Sequence, residues 1–261
     1  LASGRVCLVG DDKQAIYGWR GADSDALDRM KRELDAAELR LTCTYRCGRT
    51  IVEHARQFVT PFDAASSNPE GIVRSIDPAD LLREASPGDV VLSRTNAPLM
   101  RLCLEALRQS VPARVEGRDV LQQLRGLLNR LQNEEALATT AELLRALRRW
   151  ADRQRRHLQD RGLDPDIVAA RLAHVEDTVE TLCAIADGTD SMDELDERLT
   201  TLFGGAQGRA LVFSTVHKAK GLEWDRVFLL TNTLRRGGEE DNIHYVAVTR
   251  AIRELVLVSD D

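Results

Sequence analysis

The sequence predicts an α/β fold in which helices cover a parallel sheet and an all-helical insertion interrupts it. Short apolar runs alternate with helical patterns over residues 72–117 and again over residues 210–259, as in sheets built from strand–helix–strand units. Between these stretches, residues 119–203 carry hardly any strand pattern, and leucines recur there at helical spacing. The length of 261 residues fits one large domain or one domain with an insertion.

Composition and charge exclude several classes of protein. Hydrophobic residues make up 43% of the chain, enough for a packed core, and no apolar run reaches the roughly 18 residues of a membrane span. The net charge of −6 argues against a surface that is positive all over, but it is compatible with a local channel for nucleic acid. Five cysteines without a CxxC pair indicate reduced thiols, a cytoplasmic location and no metal site. Because Leu1 is no initiator, we expect the chain to be part of a longer protein.

The first stretch combines a predicted strand, a loop and a helix. Val6–Val9 has the pattern of a short buried strand, and a helical pattern follows near residues 25–35. The loop between them contains Gln14, a neutral donor and acceptor, and it continues with two aromatic residues and a cation: Tyr17, Trp19 and Arg20. Such a group forms a stacking platform for single-stranded nucleic acid. The alternative is a loop with a core tryptophan and a surface arginine.

A second predicted strand ends in Tyr45 and Arg46. Alternation over Leu39–Thr42 predicts the strand, and Gly48–Phe58 predicts the helix that follows it. At a strand end, a tyrosine can stack on a nucleotide base and an arginine can neutralise charge on a γ-phosphate. A half-buried aromatic residue and a surface cation are the alternatives.

The middle of the chain predicts further alternation and then helices alone. A loop is expected at residues 60–71, and Asn96 is a candidate N-cap of a helix between two strands. Predicted strands are Ile72–Ile76, Asp89–Ser93 and Val111–Val115. In the helical stretch, Gly162 and Pro165 break the pattern and Ser191 caps the last helix. An arginine cluster there predicts either a DNA-backbone contact or a solvated helix face: Arg145, Arg148, Arg149, Arg153, Arg155 and Arg156.

The last stretch returns to strands. The predicted elements are strands at Ala210–Ser214, Val227–Leu230 and Glu254–Ser259, and a helix at Glu239–Ala251. After the first of these strands, Thr215 and His217 can hydrogen-bond a phosphate and a base or a coupling partner, and Glu223 can accept from a ribose hydroxyl. A structural histidine is the alternative for His217. Arg250 lies near the end of the predicted helix, where a cation that interacts with the helix C-terminus is the plain alternative.

Four of these stretches, in order along the chain, resemble motifs of the UvrD/Rep-like superfamily 1 DNA helicases. Gly10–Ala22 resembles motif III, Thr44-Tyr45-Arg46 motif IV, Thr215–Trp224 motif V and Tyr245–Ala251 motif VI. The resemblance covers roughly residues 1–117 and 205–259. It implies that the sheet is the RecA-like second motor domain of such a helicase.

The resemblance also implies a division of the chain. Residues 1–38 would be a remnant of the first motor domain with motif III, and residues 39–117 and 205–261 the two parts of the second RecA-like domain. Residues 118–204 would be a short, all-helical counterpart of the accessory domain called 2B, which is usually much longer.

In this family ATP binds between the two RecA-like domains. The resemblance implies Gln14, Arg46 and Arg250 as catalytic residues, with Arg250 as an arginine finger and Gln14 reading the γ-phosphate. The nucleotide-binding set adds Tyr45 and Glu223, and the DNA-binding set is Tyr17, Trp19, Arg20, Thr215 and His217. The sequence contains neither a GxxxxGK[ST] phosphate loop nor a strand ending in Asp-Glu. We therefore expect the phosphate cradle and the ligands of Mg²⁺ to come from the missing N-terminal part.

These expectations combine into one function. The chain is predicted to be the C-terminal part of an ATP-dependent DNA helicase or translocase, acting on single-stranded DNA in the 3′-to-5′ direction that the family implies and inactive alone. Its expected partners are ATP with Mg²⁺, single-stranded DNA and the first RecA-like motor domain, and no membrane. The alternative is a non-catalytic DNA-binding or protein-interaction module that kept the helicase fold. An unrelated nucleotide-binding α/β enzyme is disfavoured because no glycine-rich phosphate loop is present.

Overall fold

The structure, a computed structural model, describes residues 6–16, 26–59, 62–204 and 208–259. Its strands are β1 (Cys43–Thr44), β2 (Asp63–Ala64), β3 (Ile72–Ile76), β4 (Val90–Ser93), β5 (Ala113–Val115), β6 (Leu211–Thr215), β7 (Trp224–Leu230) and β8 (Ala251–Val258). Its α-helices are α1 (Ala26–Glu33), α2 (Arg49–Ala55), α3 (Leu81–Glu84), α4 (Ala97–Arg108), α5 (Arg118–Glu134), α6 (Thr140–Gln159), α7 (Pro165–Ala186), α8 (Met192–Gly204), α9 (Val216–Ala219) and α10 (Glu239–Val248). Tyr17, Trp19 and Arg20 lie outside the described residues.

Six strands form one sheet in the order β3-β8-β7-β4-β6-β5, and every neighbouring pair is parallel. The short strands β1 and β2 pair with each other in a separate parallel sheet. The predicted α/β fold with a parallel sheet is therefore confirmed. Consecutive parallel strands need crossover connections, and helices supply them on both faces of the sheet.

Each face of the sheet has its own apolar core. Because side chains alternate along a strand, Val91 of β4 points to one face, while Val90 and Leu92 point to the other. The first face is covered by α4 and by helices α5 to α8. The second face is covered by α2, α9 and α10. The three helices adjoining the motif IV, V and VI stretches thus pack together on one side.

Helices α5 to α8 occupy the stretch for which only helices were predicted. Thr139 and Glu142 form a capping box at the start of α6, Pro165 begins α7, and Ser191 Oγ accepts from Glu194 N at 3.3 Å at the start of α8. Buried leucines of these helices belong to the same core cluster as the sheet. This segment therefore packs on the sheet rather than enclosing a separate core, and the domain division stays a prediction.

Two predicted strands are wrong. Val6–Val9 and Leu39–Thr42 have no regular structure, and the described strand that follows the second stretch is the two-residue β1. Their apolar side chains are in solvent, with Val9, Leu39 and Leu41 exposed by 84%, 91% and 90%. The sequence pattern resembled a strand, but a strand needs a partner, and none of the described strands pairs with either stretch.

Helix ends also differ from the prediction. Helix α2 stops at Ala55, before Phe58, and α10 stops at Val248 because β8 already begins at Ala251. Asn96 precedes α4, but its side chain does not cap the helix. Instead, the Asp177 carboxylate of α7 accepts from the backbone N–H groups of Asn96 at 2.8 Å and Ala97 at 3.3 Å, and from Asn96 Nδ2 at 2.7 Å. A cap supplied from 81 residues away leaves no local signal in the sequence.

Candidate functional site

An open pocket of about 650 Å³ lies beside the amino ends of β7 and β8. We call it the Tyr45 pocket. Its lining includes all five residues predicted to bind nucleotide, Gln14, Tyr45, Arg46, Glu223 and Arg250. They come from four separate stretches of the chain, so the fold brings them together. In the part of the chain that the structure describes, no strand precedes Gln14, and the pocket is not at the carboxyl ends of the strands, where open α/β sheets hold their ligands.

Tyr45 and Arg46 lie in the turn between β1 and α2. The Tyr45 side chain is 79% exposed, so its ring is accessible for stacking. Gly48 ends the turn, and its N–H donates to the carbonyl of Ile252 in β8 at 2.8 Å. A Cβ on Gly48 would lie 2.6 Å from the Cα of Gly71, so only glycine permits this approach of two backbones. The turn is therefore held tightly against the sheet.

Arg46 forms an ion pair with Glu223, which precedes β7. Arg46 Nε lies 2.6 Å from Glu223 Oε2, and the two side chains are 42% and 47% exposed. Ion pairs this exposed contribute about 0–1 kcal/mol, because water screens them. The pair can therefore open at little cost when a ligand offers either group a better partner.

Arg250 is held very differently, since it is 1% exposed and lies between α10 and β8. Nε donates to the carbonyl of Val246 at 2.8 Å, Nη1 to the carbonyl of Leu222 at 3.0 Å, and Nη2 to Thr249 Oγ1 at 3.1 Å. These bonds use three of the five guanidinium N–H groups. Burial lowers the pKa of Arg250, and the charge of Arg46 lowers it further. The bond to Val246 is a contact with the C-terminus of α10, which was the alternative to a nucleotide role. Arg250 nevertheless also lines the Tyr45 pocket.

Gln14 lies in a one-turn 3₁₀ helix, Asp12–Gln14, that is held by two neighbours. Its side-chain amide donates to Asp11 Oδ2 at 2.7 Å, and the hydroxyl of Tyr245 in α10 donates to the same oxygen at 3.4 Å. Lys220 Nζ donates to the Gln14 carbonyl at 2.9 Å. Burial raises the pKa of Tyr245 to about 12, and Asp11 adds to the shift, so the phenol stays a donor.

Sequence reasoning assigned no role to Asp11 or Tyr245, which hold Gln14. Both stand inside the stretches that resemble motifs III and VI. A carboxylate three residues before a glutamine is a local pattern that indicates such a contact. The partnership with Tyr245 joins residues 234 apart, so it follows only from the fold.

The predicted DNA-binding residues Thr215 and His217 do not line the Tyr45 pocket. Thr215 ends β6 and its hydroxyl accepts from Lys218 N at 3.4 Å, which starts the short helix α9 that contains His217. The Lys218 ammonium pairs with Asp119 at the start of α5. Strands β6 and β7 are both parallel to β4, which lies between them. Residues 216–223 therefore lead from the carboxyl end of β6, at the carboxyl edge of the sheet, to the amino end of β7, at the amino edge. The motif V stretch thus connects the two edges.

The described ranges contain no group of three or more His, Cys, Asp or Glu side chains arranged to hold a metal ion. All five cysteines are free, and burial raises the pKa of Cys47 to about 11. Among the helices of the described residues, none combines the length and apolar character needed to cross a bilayer.

Two family models match parts of the sequence. Residues 210–258 match the UvrD-like helicase C-terminal domain, and residues 1–35 match the UvrD/REP helicase N-terminal domain. Over these two stretches the chain is similar to UvrD/Rep-like helicases, and we call it the helicase region. The two matches lie at the stretches that resembled motifs V and VI and motif III, so the predicted family is confirmed.

Relatives of this helicase region carry matching names. DNA helicase II of Escherichia coli (strain K12) is 26% identical over 374 residues, which cover 98% of this chain and 52% of that protein. ATP-dependent DNA helicase UvrD2 of Mycobacterium tuberculosis (strain ATCC 25618 / H37Rv) is 28% identical over 321 residues, with coverages of 97% and 43%. F-box DNA helicase protein 1 of Schizosaccharomyces pombe is 25% identical over 281 residues, with coverages of 97% and 31%.

The helicase region spans only part of these relatives, between 31% and 52% of their length. The alignment with the Escherichia coli protein extends over 374 positions, more than the 261 residues of this chain. Segments of that relative inside the aligned range therefore have no counterpart here.

Proposed function

We propose that this helicase region forms one wall of the ATP site of an ATP-dependent DNA helicase or translocase that acts on single-stranded DNA. The observation that carries the proposal is the Tyr45 pocket, which gathers an exposed tyrosine, two arginines, a glutamine and a carboxylate from four stretches. This combination suits a nucleoside triphosphate, because an aromatic ring can stack on the base, a carboxylate can accept from the ribose, and arginines and an amide can bind the phosphates. The relatives named DNA helicases support the same assignment.

Tyr45 and Glu223 recognise the nucleoside in this proposal. The accessible Tyr45 ring stacks on the base, and the Glu223 carboxylate accepts from a ribose hydroxyl. To do so, Glu223 exchanges Arg46 for the ribose. Because the Arg46–Glu223 pair is exposed, this exchange costs about 1 kcal/mol or less.

The two arginines act on the phosphates. Arg46, freed from Glu223, neutralises charge that develops on the γ-phosphate. Arg250 is fixed by its bonds to Val246 and Leu222, and its two remaining N–H groups are available as preorganised donors. Gln14 reports whether the γ-phosphate is present. We assign the phosphate cradle and the Mg²⁺ ligands to the first motor domain, where Mg²⁺ would supply further charge neutralisation.

DNA contacts belong to the other edge of the sheet in this proposal. Thr215 and His217 contact single-stranded DNA there, while Tyr17, Trp19 and Arg20 are assigned to DNA binding from their residue types alone. Residues 216–223 join that edge to the Tyr45 pocket, which offers a direct link between nucleotide state and DNA contact. The 3′-to-5′ direction rests on the family resemblance alone.

The test uses the complete motor, meaning a protein that joins this region to a first motor domain with its phosphate loop. Arg46→Ala should lower ATP turnover stimulated by single-stranded DNA by about 10³-fold or more, as loss of an arginine finger does. Arg253→Ala is the matched control, since Arg253 is 73% exposed and pairs with Asp225. Its turnover should match the unchanged protein.

Two results would count against the proposal. Full turnover of the Arg46→Ala motor would remove Arg46 from the reaction. A complete motor that binds DNA but hydrolyses no ATP would favour the non-catalytic module instead. This 261-residue chain alone should show no turnover, because it lacks the phosphate loop.

A further inference from the structure

The loop after α2, for which the sequence predicted only a connection, brings Asn68 against the turn that carries Tyr45 and Arg46. Asn68 is 5% exposed, so its side chain is buried although it is polar. Its Nδ2 donates to the carbonyl of Thr44 at 2.9 Å and to the carbonyl of Cys47 at 2.8 Å. These two carbonyls stand on either side of the Tyr45-Arg46 dipeptide.

The chemistry of this contact requires an amide. Both acceptors are backbone carbonyls, so the partner must offer two N–H donors from one atom. An aspartate at position 68 would have the same shape but would turn an acceptor toward two acceptors, and a serine has a single donor. The Thr44 carbonyl also accepts from the N–H of Ala65 at 2.9 Å, whereas the buried Cys47 carbonyl would lose its Asn68 donor, which is costly. The amide therefore ties the Cys47 end of the turn to the Thr44 end.

The backbone around Asn68 is held independently of its side chain. The N–H of Asn68 donates to the carbonyl of Ala65 at 2.9 Å, and the N–H of Arg49 in α2 donates to the carbonyl of Pro69 at 2.9 Å. Thr50 N donates to the carbonyl of Glu70 at 2.8 Å. A substitution at Asn68 therefore removes the clamp on the turn, while the loop keeps its attachment to α2.

We propose that Asn68 is a positioning residue of the Tyr45 pocket, whose amide fixes the turn from Thr44 to Cys47 so that Tyr45 and Arg46 face the nucleotide. The role rests on the proposed function, because it acts only through Tyr45 and Arg46. Asn68 itself is not among the residues that line the pocket. It acts on nucleotide use without touching the nucleotide.

The experiment compares Asn68→Ala and Asn68→Asp with the unchanged complete motor, with KM for ATP and kcat measured at saturating single-stranded DNA. Both variants should raise KM for ATP by about tenfold and lower kcat, because small misplacements of binding groups have large effects. The control is Thr189→Ala, which also loses a buried side-chain bond to a backbone carbonyl, at 2.8 Å, but in the helical segment. It should lower the melting temperature and leave both kinetic constants unchanged.

A double variant separates positioning from general destabilisation. Because Asn68 positions both Tyr45 and Arg46, the KM effect of Asn68→Ala should be smaller in a Tyr45→Ala motor, where the part that passes through Tyr45 is gone. An equal effect in both backgrounds, or unchanged kinetics in the Asn68 variants while Tyr45→Ala raises KM, would overturn the positioning role and leave the proposed function intact. An unchanged KM in Tyr45→Ala alone would refute the nucleotide assignment of the pocket, and the role of Asn68 with it.

Discussion

Replacing Arg250 by alanine should destabilise this helicase region even without any nucleotide. Arg250 is the largest of the fully buried side chains in the described residues, and it makes three hydrogen bonds. Hydrogen bonds that involve a charged group contribute about 1.5–3 kcal/mol each. Desolvation of the guanidinium offsets part of that sum. We therefore expect a net loss of about 3 kcal/mol in the free energy of unfolding.

Urea denaturation of the 261-residue chain, followed by tryptophan fluorescence, measures this loss directly. Arg253→Ala is the control, because its exposed pair with Asp225 should change the free energy of unfolding by about 0.5 kcal/mol or less. An Arg250→Ala loss as small as that of the control would contradict the buried geometry. In that case Arg250 would be a mobile cation, and its proposed preorganisation would have no basis.

Three further predictions use the same unfolding assay. Asp177→Ala removes the carboxylate that accepts from the start of α4 and should cost about 1–3 kcal/mol; no loss would mean that α4 needs no cap. Gly48→Ala should cost about 1–3 kcal/mol, since its Cβ meets backbone at 2.6 Å, whereas Gly126→Ala in α5 meets nothing within 4 Å and should stabilise by about 0.5–1 kcal/mol. Burial lowers the pKa of His54 and His244 below the ordinary 6.5, so the unfolded chain binds protons first on acidification. The free energy of unfolding should fall from about pH 7 to pH 5, and less steeply after His54→Gln with His244→Gln.

The sheet was predictable because most of its strands lie between two layers of helices. In such a sheet a strand is a short apolar run between turn residues, and the predicted Asp89–Ser93 corresponds to β4, Val90–Ser93, in which every residue is buried. The wrong strands, Val6–Val9 and Leu39–Thr42, had a similar local pattern. What they lack is a partner strand among the described residues, and pairing is a property of the fold and not of a short window.

Some residues of the candidate site could be predicted from local sequence, and others act through contacts that only the fold creates. Tyr45, Arg46 and Arg250 could be selected as candidate site residues from the sequence, because the motifs that contain them occur in the same order as in the helicase family. Asn68 and Asp177 could not, since each donates to or accepts from backbone groups that are distant in the sequence. Such contacts place no demand on neighbouring residue types, so they leave no pattern.

Helices α5 to α8 and the Tyr45 pocket lie on opposite faces of the sheet. The Tyr45 pocket adjoins α2 and α10, whereas helices α5 to α8 pack on the opposite face. The helical segment, α5 to α8, contacts the carboxyl edge of the sheet through the Lys218–Asp119 ion pair and through Asp177, which caps α4. Since Thr215 also ends at that edge, beside Ser93 of β4, we expect the helical segment to affect DNA contact more than nucleotide binding. Asp119→Ala in the complete motor should therefore change affinity for single-stranded DNA while KM for ATP stays constant, and the reverse pattern would show that the faces are not independent.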